Sequence, residues 1–138
     1  MTTIAACLVT GVMAADSTWT DGTERGIARK VWRVRHELIG LAGDLCELEA
    51  WIHAYRAGDK PKGKPYALKL SSTGLAVWTS ADGWTPIREK QWAIGSGAAY
   101  ASGAMAFGAT PAQAVRFAIT KDVGSGGRVR TYRLNTRR

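Results

Sequence analysis

The chain has 138 residues, 46% of them hydrophobic and 22% charged, with 16 glycines and a formal net charge of +8. That length fits one domain, 1-138, able to bury a hydrophobic core without disulfides or a structural metal. The composition excludes a collagen-like or wholly disordered chain, and with no apolar run near the ~20 residues of a bilayer span, an integral membrane protein is excluded too.

Thr3 to Leu8 is a short β-prone run, and Val12 to Ala15 resumes it after the Thr10-Gly11 turn signal, so an antiparallel hairpin opens the chain. The same start, Met1 to Ala15, lacks the basic opening of a secretory signal, so a cytoplasmic protein is expected. Ala28 to Arg35 alternates, with Ala28, Lys30, Trp32 and Val34 on one face. Lys30 is then a lone charge on an apolar face; its plain alternative is a strand-end lysine that snorkels to water. Leu38 to Ala42 reads as a further strand ending at Gly43. Asp44 follows as the cap of a helix running to Tyr55, with Leu45, Leu48, Trp51, Ile52 and Tyr55 along its apolar stripe and Gly58 as its stop.

The Lys60 to Pro65 segment is a basic turn that cannot be helical. Ala67 to Leu70, Leu75 to Thr79 and Trp92 to Ile94 are strand candidates separated by turns at Ser71 to Gly74 and Ala81 to Gly83. Ala98 to Phe107 reads as a tightly packed helix of small residues, and Thr110-Pro111 starts a second one that runs to about Ala118. Asp122 to Gly127 is a glycine-rich loop, and Val129 to Leu134 a closing strand. Runs of antiparallel strands with helices segregated between them indicate an α+β layered fold.

Cys7 and Cys46, with His36 and His53, lack zinc-site spacing, so no metal or other cofactor is expected and both cysteines read as buried thiols. The positive charges fall in Arg25 to Arg35, Lys60 to Lys64 and Arg128 to Arg138. In the first stretch they alternate with apolar residues as on a solvated strand face, and none of the three carries a nucleic-acid reading motif.

A small residue after the initiator methionine permits its removal, which would leave Thr2 with a free α-amine beside its own hydroxyl. A threonine hydroxyl needs a base to take its proton, and an α-amine with a reference pKa near ~7.7 to 8.0 suits neutral pH. Thr2 alone is most simply a frayed terminus. Its company is more specific. The blocks Met1-Thr2-Thr3-Ile4, Gly11 to Asp16, Gly26 to Val31, Gly40 to Gly43, Ala93 to Gly97 and Asp122 to Gly127 stand in an order that resembles proteasome β subunits and the bacterial HslV protease.

That resemblance runs from Thr2 to about Leu134, and it implies an αββα sandwich of the N-terminal nucleophile hydrolase type. It makes Thr2 the nucleophile of a threonine endopeptidase, Asp16 and Lys30 its charged partners, and Ser96, Asp122 and Ser125 a network around the terminal amine. The backbone N–H of Gly43 becomes the oxyanion donor. Trp19, Ala28 and Trp32 become candidates for the substrate pocket, with burial in the core as the plain alternative for the two indoles. It further implies a homo-oligomer of two stacked rings, six or seven subunits each, that hydrolyses unfolded polypeptide and has a possible AAA+ ATPase unfoldase as partner.

The chain departs from the family after Gly58, where there is room for one helix instead of two. One helix layer is therefore expected to be thinner, with one edge of the sheet exposed or covered by a neighbour. The start at Met-Thr without a propeptide implies activation by methionine removal alone. Two other readings remain open: a catalytically silent ring that serves assembly or binding, and a basic nucleic-acid-binding protein, although nucleic acid is not the expected partner.

Overall fold

The computed structural model describes residues 2–21 and 24–134. Strands β1 (Ile4–Cys7) and β2 (Val12–Ala15) form the expected hairpin, closed at Gly11, whose φ of +67° suits glycine. They become the two central strands of an antiparallel sheet flanked by β10 (Gln91–Ile94) and β11 (Arg130–Arg133). Side-chain alternation divides this sheet. Ile4, Ala6, Met13, Ala15 and Ile94 face inward, whereas Ala5, Ala14 and Ala93 face outward. The outward face is made of small side chains, so helices α2 (Ala98–Ala106) and α3 (Pro111–Lys121) lie close against it through Ala101, Ala114, Val115 and Ala118. Helix α3 starts with the reciprocal bonds its sequence signals. Gln113 N–H donates to Thr110 Oγ1 at 3.2 Å and Thr110 N–H to Gln113 Oε1 at 2.9 Å, with Pro111 at the first helical position.

The second sheet is a meander of β5 (Val31–Val34), β6 (Glu37–Ala42), β7 (Tyr66–Ser71), β8 (Gly74–Thr79) and β9 (Gly83–Ile87). Val31, Leu38, Leu68, Leu70, Leu75 and Val77 meet the inward face of the first sheet. Gly40 sits where the sheets come closest, since a Cβ there would lie 2.8 Å from Ile4 Cγ2 and 3.1 Å from Met13 Sδ. The outer face carries Trp32, Val34, Ile39, Leu41, Ala67 and Trp78 and packs on helix α1 (Leu45–Arg56) through Leu48, Trp51 and Ile52. The layers therefore run helices, sheet, sheet, helix, with a single helix on the second side as expected. Aromatic side chains extend the cover there: Trp51 stacks on Tyr55 at 5.4 Å and meets Trp78 and Trp84 edge-on at 5.4 and 6.1 Å. Lys69 Nζ rests over the Trp84 ring at 4.3 Å.

Several elements differ from the sequence reading. Strands β3 (Thr18–Asp21) and β4 (Glu24–Ile27) were not expected; they pair only with each other and carry too few apolar residues to show a buried face. β9 was not among the expected strands; it carries Pro86, which an edge strand paired on one side tolerates. The strand expected from Ala28 begins at Val31, although the Lys30 carbonyl still accepts from Leu41 N–H at 2.8 Å. Leu45 leaves the apolar stripe of α1 and is 42% exposed. Of the two thiols, Cys7 is buried in β1 while Cys46 is exposed on α1, contrary to the expectation for the latter, and they are unpaired. No helix among the described residues is long and apolar enough to cross a membrane.

Trp51 anchors the α1 side at 1% exposure, and its indole N–H has no hydrogen-bond partner among the described groups. Trp51→Ala is expected to cost about 3–5 kcal/mol in a urea titration. Trp51→Phe keeps most of the ring and gives up no bonded polar group, so its midpoint is expected to fall by less than half as much.

Candidate active site

The site is assembled from the chain start, the loops after β2 and before β5, and the loops at the ends of α2 and α3. Asp16 follows β2 and is 1% exposed; Lys30 precedes β5 and is 4% exposed. Lys30 Nζ donates to both carboxylate oxygens of Asp16 at 2.9 Å and to the carbonyl of Thr18 at 2.7 Å. Asp16 is bonded on its other side by the backbone: Thr3 N–H reaches Oδ1 at 3.0 Å and Gly126 N–H reaches Oδ2 at 3.0 Å. These donors satisfy the oxygens of a carboxylate that lies almost wholly out of water. Burial pushes the Lys30 ammonium below its ordinary value, opposed by the charge and hydrogen bonds of Asp16 and by the charge of Asp122.

Thr2 is 3% exposed and is clamped by the turn between β10 and α2. Its N–H donates to Ser96 Oγ at 3.2 Å, and its carbonyl accepts from Gly97 N–H at 3.2 Å. Gly95, with φ +97°, passes so near that a Cβ would run into the Thr2 carbonyl oxygen, and a Cβ on Gly97 would collide with Thr3 Oγ1. These two glycines let the turn close on the chain start.

Behind Thr2 and Thr3, hydroxyls lead to one carboxylate oxygen. Ser96 Oγ and Ser125 Oγ each stand 2.6 Å from Asp122 Oδ2, and Thr3 Oγ1 is 2.7 Å from Ser125 Oγ. A hydroxyl has one proton. With both serine protons given to Asp122, Ser96 Oγ accepts from Thr2 N–H and Ser125 Oγ accepts from Thr3 O–H. Asp122 ends α3, where its N–H still donates to the Ala118 carbonyl at 2.7 Å. Burial raises its carboxyl, but the bonds from Ser125, Ser96 and the Gly124 backbone outweigh that and hold it below its ordinary 3.8.

A cleft of about 520 Å³ opens beside this network and includes Thr2, Lys30, Ala28, Trp19 and Gly43 in its lining. Trp19 pairs across the β3–β4 hairpin with Gly26, and the missing side chain there lets the indole lie over the partner strand. Gly43 has φ +151°, and a Cβ on it would lie 3.2 Å from Pro65 Cα. Trp32 does not line this cleft: it is 2% exposed and packs in the core beneath α1, the plain alternative of the sequence reading. Asp122 and Ser125 stand one step further back than expected, since Ser96 alone of the three meets Thr2 N directly and Ser125 meets Thr3 instead. Thr3, Thr18 and Gly126 were not singled out in the sequence. The only signal for them is adjacency: Thr3 follows Thr2, Thr18 lies near Asp16, and Gly126 lies in the Asp122 loop. Met1 lies outside the described residues. Among the described residues, no group of three or more His, Cys, Asp or Glu side chains converges as metal ligands would.

Asp16→Asn leaves a buried ammonium without its counter-charge, and removal of one partner of a buried pair costs about 3–5 kcal/mol. Its urea midpoint is expected to drop accordingly, and Lys30→Met in the same chain to recover part of the loss. For Asp122 the folded value lies below 3.8, so the unfolded chain takes the proton first. Its contribution is complete above that value and is lost as the pH falls through the lower folded one. Asp122→Asn is expected to flatten this part of an acid titration followed by tryptophan fluorescence.

Neither a protein-family model nor a curated protein matches the sequence. Solved structures match the fold. Thiobacillus denitrificans BPH in complex with epoxomicin aligns with a TM-score of 0.76 at 18% identity, over 96% of this chain and 99% of that one. A second structure of Thiobacillus denitrificans BPH aligns with a TM-score of 0.73 at 18% identity, over 99% of each chain. Eukaryotic HslV from Trypanosoma brucei aligns at 0.75 and 16% identity, over 94% of this chain and 97% of that one. At these identities the likeness is one of fold: the layering of helices, sheet, sheet and helix described above is shared with these structures.

Proposed function

We infer that the protein is a threonine-type peptidase whose nucleophile is Thr2 once Met1 is removed. The observation that carries this reading is the sharing of one cleft by Thr2, Lys30 and Gly43, with the Asp16–Lys30 pair and the Ser96–Asp122–Ser125 hydroxyl network behind it. Loss of Met1 turns Thr2 N into an amine held by Ser96. Thr2 Oγ1 attacks the scissile carbonyl carbon, and its proton passes to that amine. Lys30 favours the unprotonated amine and the forming alkoxide by its charge. The oxyanion is received by the Gly43 N–H, where no side chain stands in the way. The C–N bond then breaks, the amine returns the proton to the departing product, and an acyl ester remains on Thr2. Water attacks the ester with the same amine as base and releases the second product. No cofactor enters these steps.

The chain acts in the cytoplasm as a homo-oligomer of two stacked rings, six or seven subunits each, that admits unfolded polypeptide and receives it from an AAA+ ATPase. Support for assembly comes from the fold likeness and from α2 and α3, where Tyr100, Phe107 and Phe117 are 42%, 97% and 44% exposed.

Intact-mass measurement after treatment with an epoxyketone or β-lactone is expected to find a Met-free chain carrying one adduct on Thr2, and none on Thr2→Ala. A Met-free wild-type chain without adduct would sink the peptidase reading. Lys30→Ala is expected to lower peptide turnover by about 10²–10³-fold, the scale of losing a group that stabilises developing charge.

A further inference from the structure

The cleft beside Thr2 has a feature that the hydrolytic steps leave unused. Asp44 is the N-cap residue of α1, yet its side chain makes no capping bond; only its carbonyl is engaged, by Glu47 N–H at 2.9 Å. Asp44 is exposed and lines the cleft. An aspartate at this position ordinarily turns back on the N–H groups of the first helical turn, so here the carboxylate remains available to a ligand. The other acid of that turn, Glu47, is held elsewhere: Lys64 N–H donates to its Oε1 at 3.1 Å. Lys30 is the other charged residue of the lining, and its charge is matched by Asp16. Among the described residues that line the cleft, Asp44 is thus the only acid, and Trp19, Ala28, Leu45 and Leu48 supply apolar wall around it.

We propose that Asp44 makes this cleft select polypeptide segments with a lysine or arginine side chain at the residue whose carbonyl Thr2 attacks. This rests on the peptidase reading and adds its substrate class. The chemistry suits a long cationic side chain: the aliphatic stem lies along the apolar wall and the charged head meets the carboxylate. An acidic side chain would meet Asp44 as a like charge. The chain's positive net charge works in the opposite direction at long range, but salt screens it beyond about 8–10 Å, so the contact inside the cleft decides.

The test uses fluorogenic peptides that end in Arg, Leu or Glu before the reporter, cleaved by wild type, Asp44→Asn and Asp44→Lys. Wild type is expected to favour Arg over Leu in kcat/KM, and Asp44→Asn to lose about three- to tenfold on Arg with Leu unchanged within about twofold, the range of one solvent-exposed hydrogen bond. Asp44→Lys is expected to raise the relative rate on Glu. Because the side chain caps nothing and is exposed, these variants are expected to melt near wild type. An Arg-to-Leu ratio equal in wild type and Asp44→Asn overturns the proposal and marks Asp44 as a helix-end charge only. A β-lactone adduct on Thr2 in every variant separates this outcome from failure of the peptidase reading. Should wild type give neither adduct nor turnover, calorimetric titration with the same peptides decides the cleft alone: an arginine preference lost in Asp44→Asn supports cation recognition, and equal affinities overturn it.

Discussion

The buried ion pair between Asp16 and Lys30 is the interaction on which the geometry of the site depends. Taking two charges out of water is costly and is offset only when each is fully bonded. The bonds that complete Asp16 come from Thr3 at the chain start and from Gly126 in the loop after α3, and Lys30 is bonded further by the Thr18 carbonyl. Each of these segments lies far from the others in sequence, so the pair holds together the chain start, the β3 entry, the β5 entry and the α3 exit. The pair therefore has a structural reason to exist that is independent of catalysis, and that reason also sets Lys30 in the cleft with Thr2.

A second constraint is steric. The turn Gly95-Ser96-Gly97 has to pass within contact distance of Thr2 and Thr3, which only residues without Cβ allow. Once it does, Ser96 is fixed between Thr2 N and Asp122, and the N-terminus of α2 meets the C-terminus of α3 at a single carboxylate. The small outer-face side chains Ala5, Ala14 and Ala93 serve the same end, because they seat both helices near enough for their termini to reach the chain start. Packing in the layers and geometry at the site are thus consequences of the same small side chains.

On the opposite side, the single helix α1 is supplemented by Tyr55, Trp78 and Trp84 around Trp51. Large aromatic rings can cover a sheet face that would otherwise need a second helix. Four of the six tryptophans, Trp32, Trp51, Trp78 and Trp84, lie on this side. The start of α1, with Gly43 and Asp44 ahead of it, forms part of the wall of the cleft.

Much of the fold was legible in the sequence because its signals are local. Short β-prone runs bounded by turn signals marked β1, β2, β6, β7 and β8, Thr110-Pro111 marked α3, and the Asp44 to Gly58 span marked α1 with both its ends. Lys30 was legible as the one charge on the apolar face of the Ala28 to Arg35 alternation. The β3–β4 hairpin and β9 were not, since a strand paired without a buried face has no hydrophobic period and a proline on an edge strand resembles a turn. Tertiary structure alone decided that Trp32 belongs to the core and Trp19 to the cleft, that Ser125 meets Thr3 and Ser96 meets Thr2, and that Asp44 caps nothing. Those outcomes depend on which distant segments meet, as between Thr3 and Ser125, which stand 122 residues apart in sequence. Local pattern can specify a strand or a helix, but only packing of the layers selects the partner of a polar side chain.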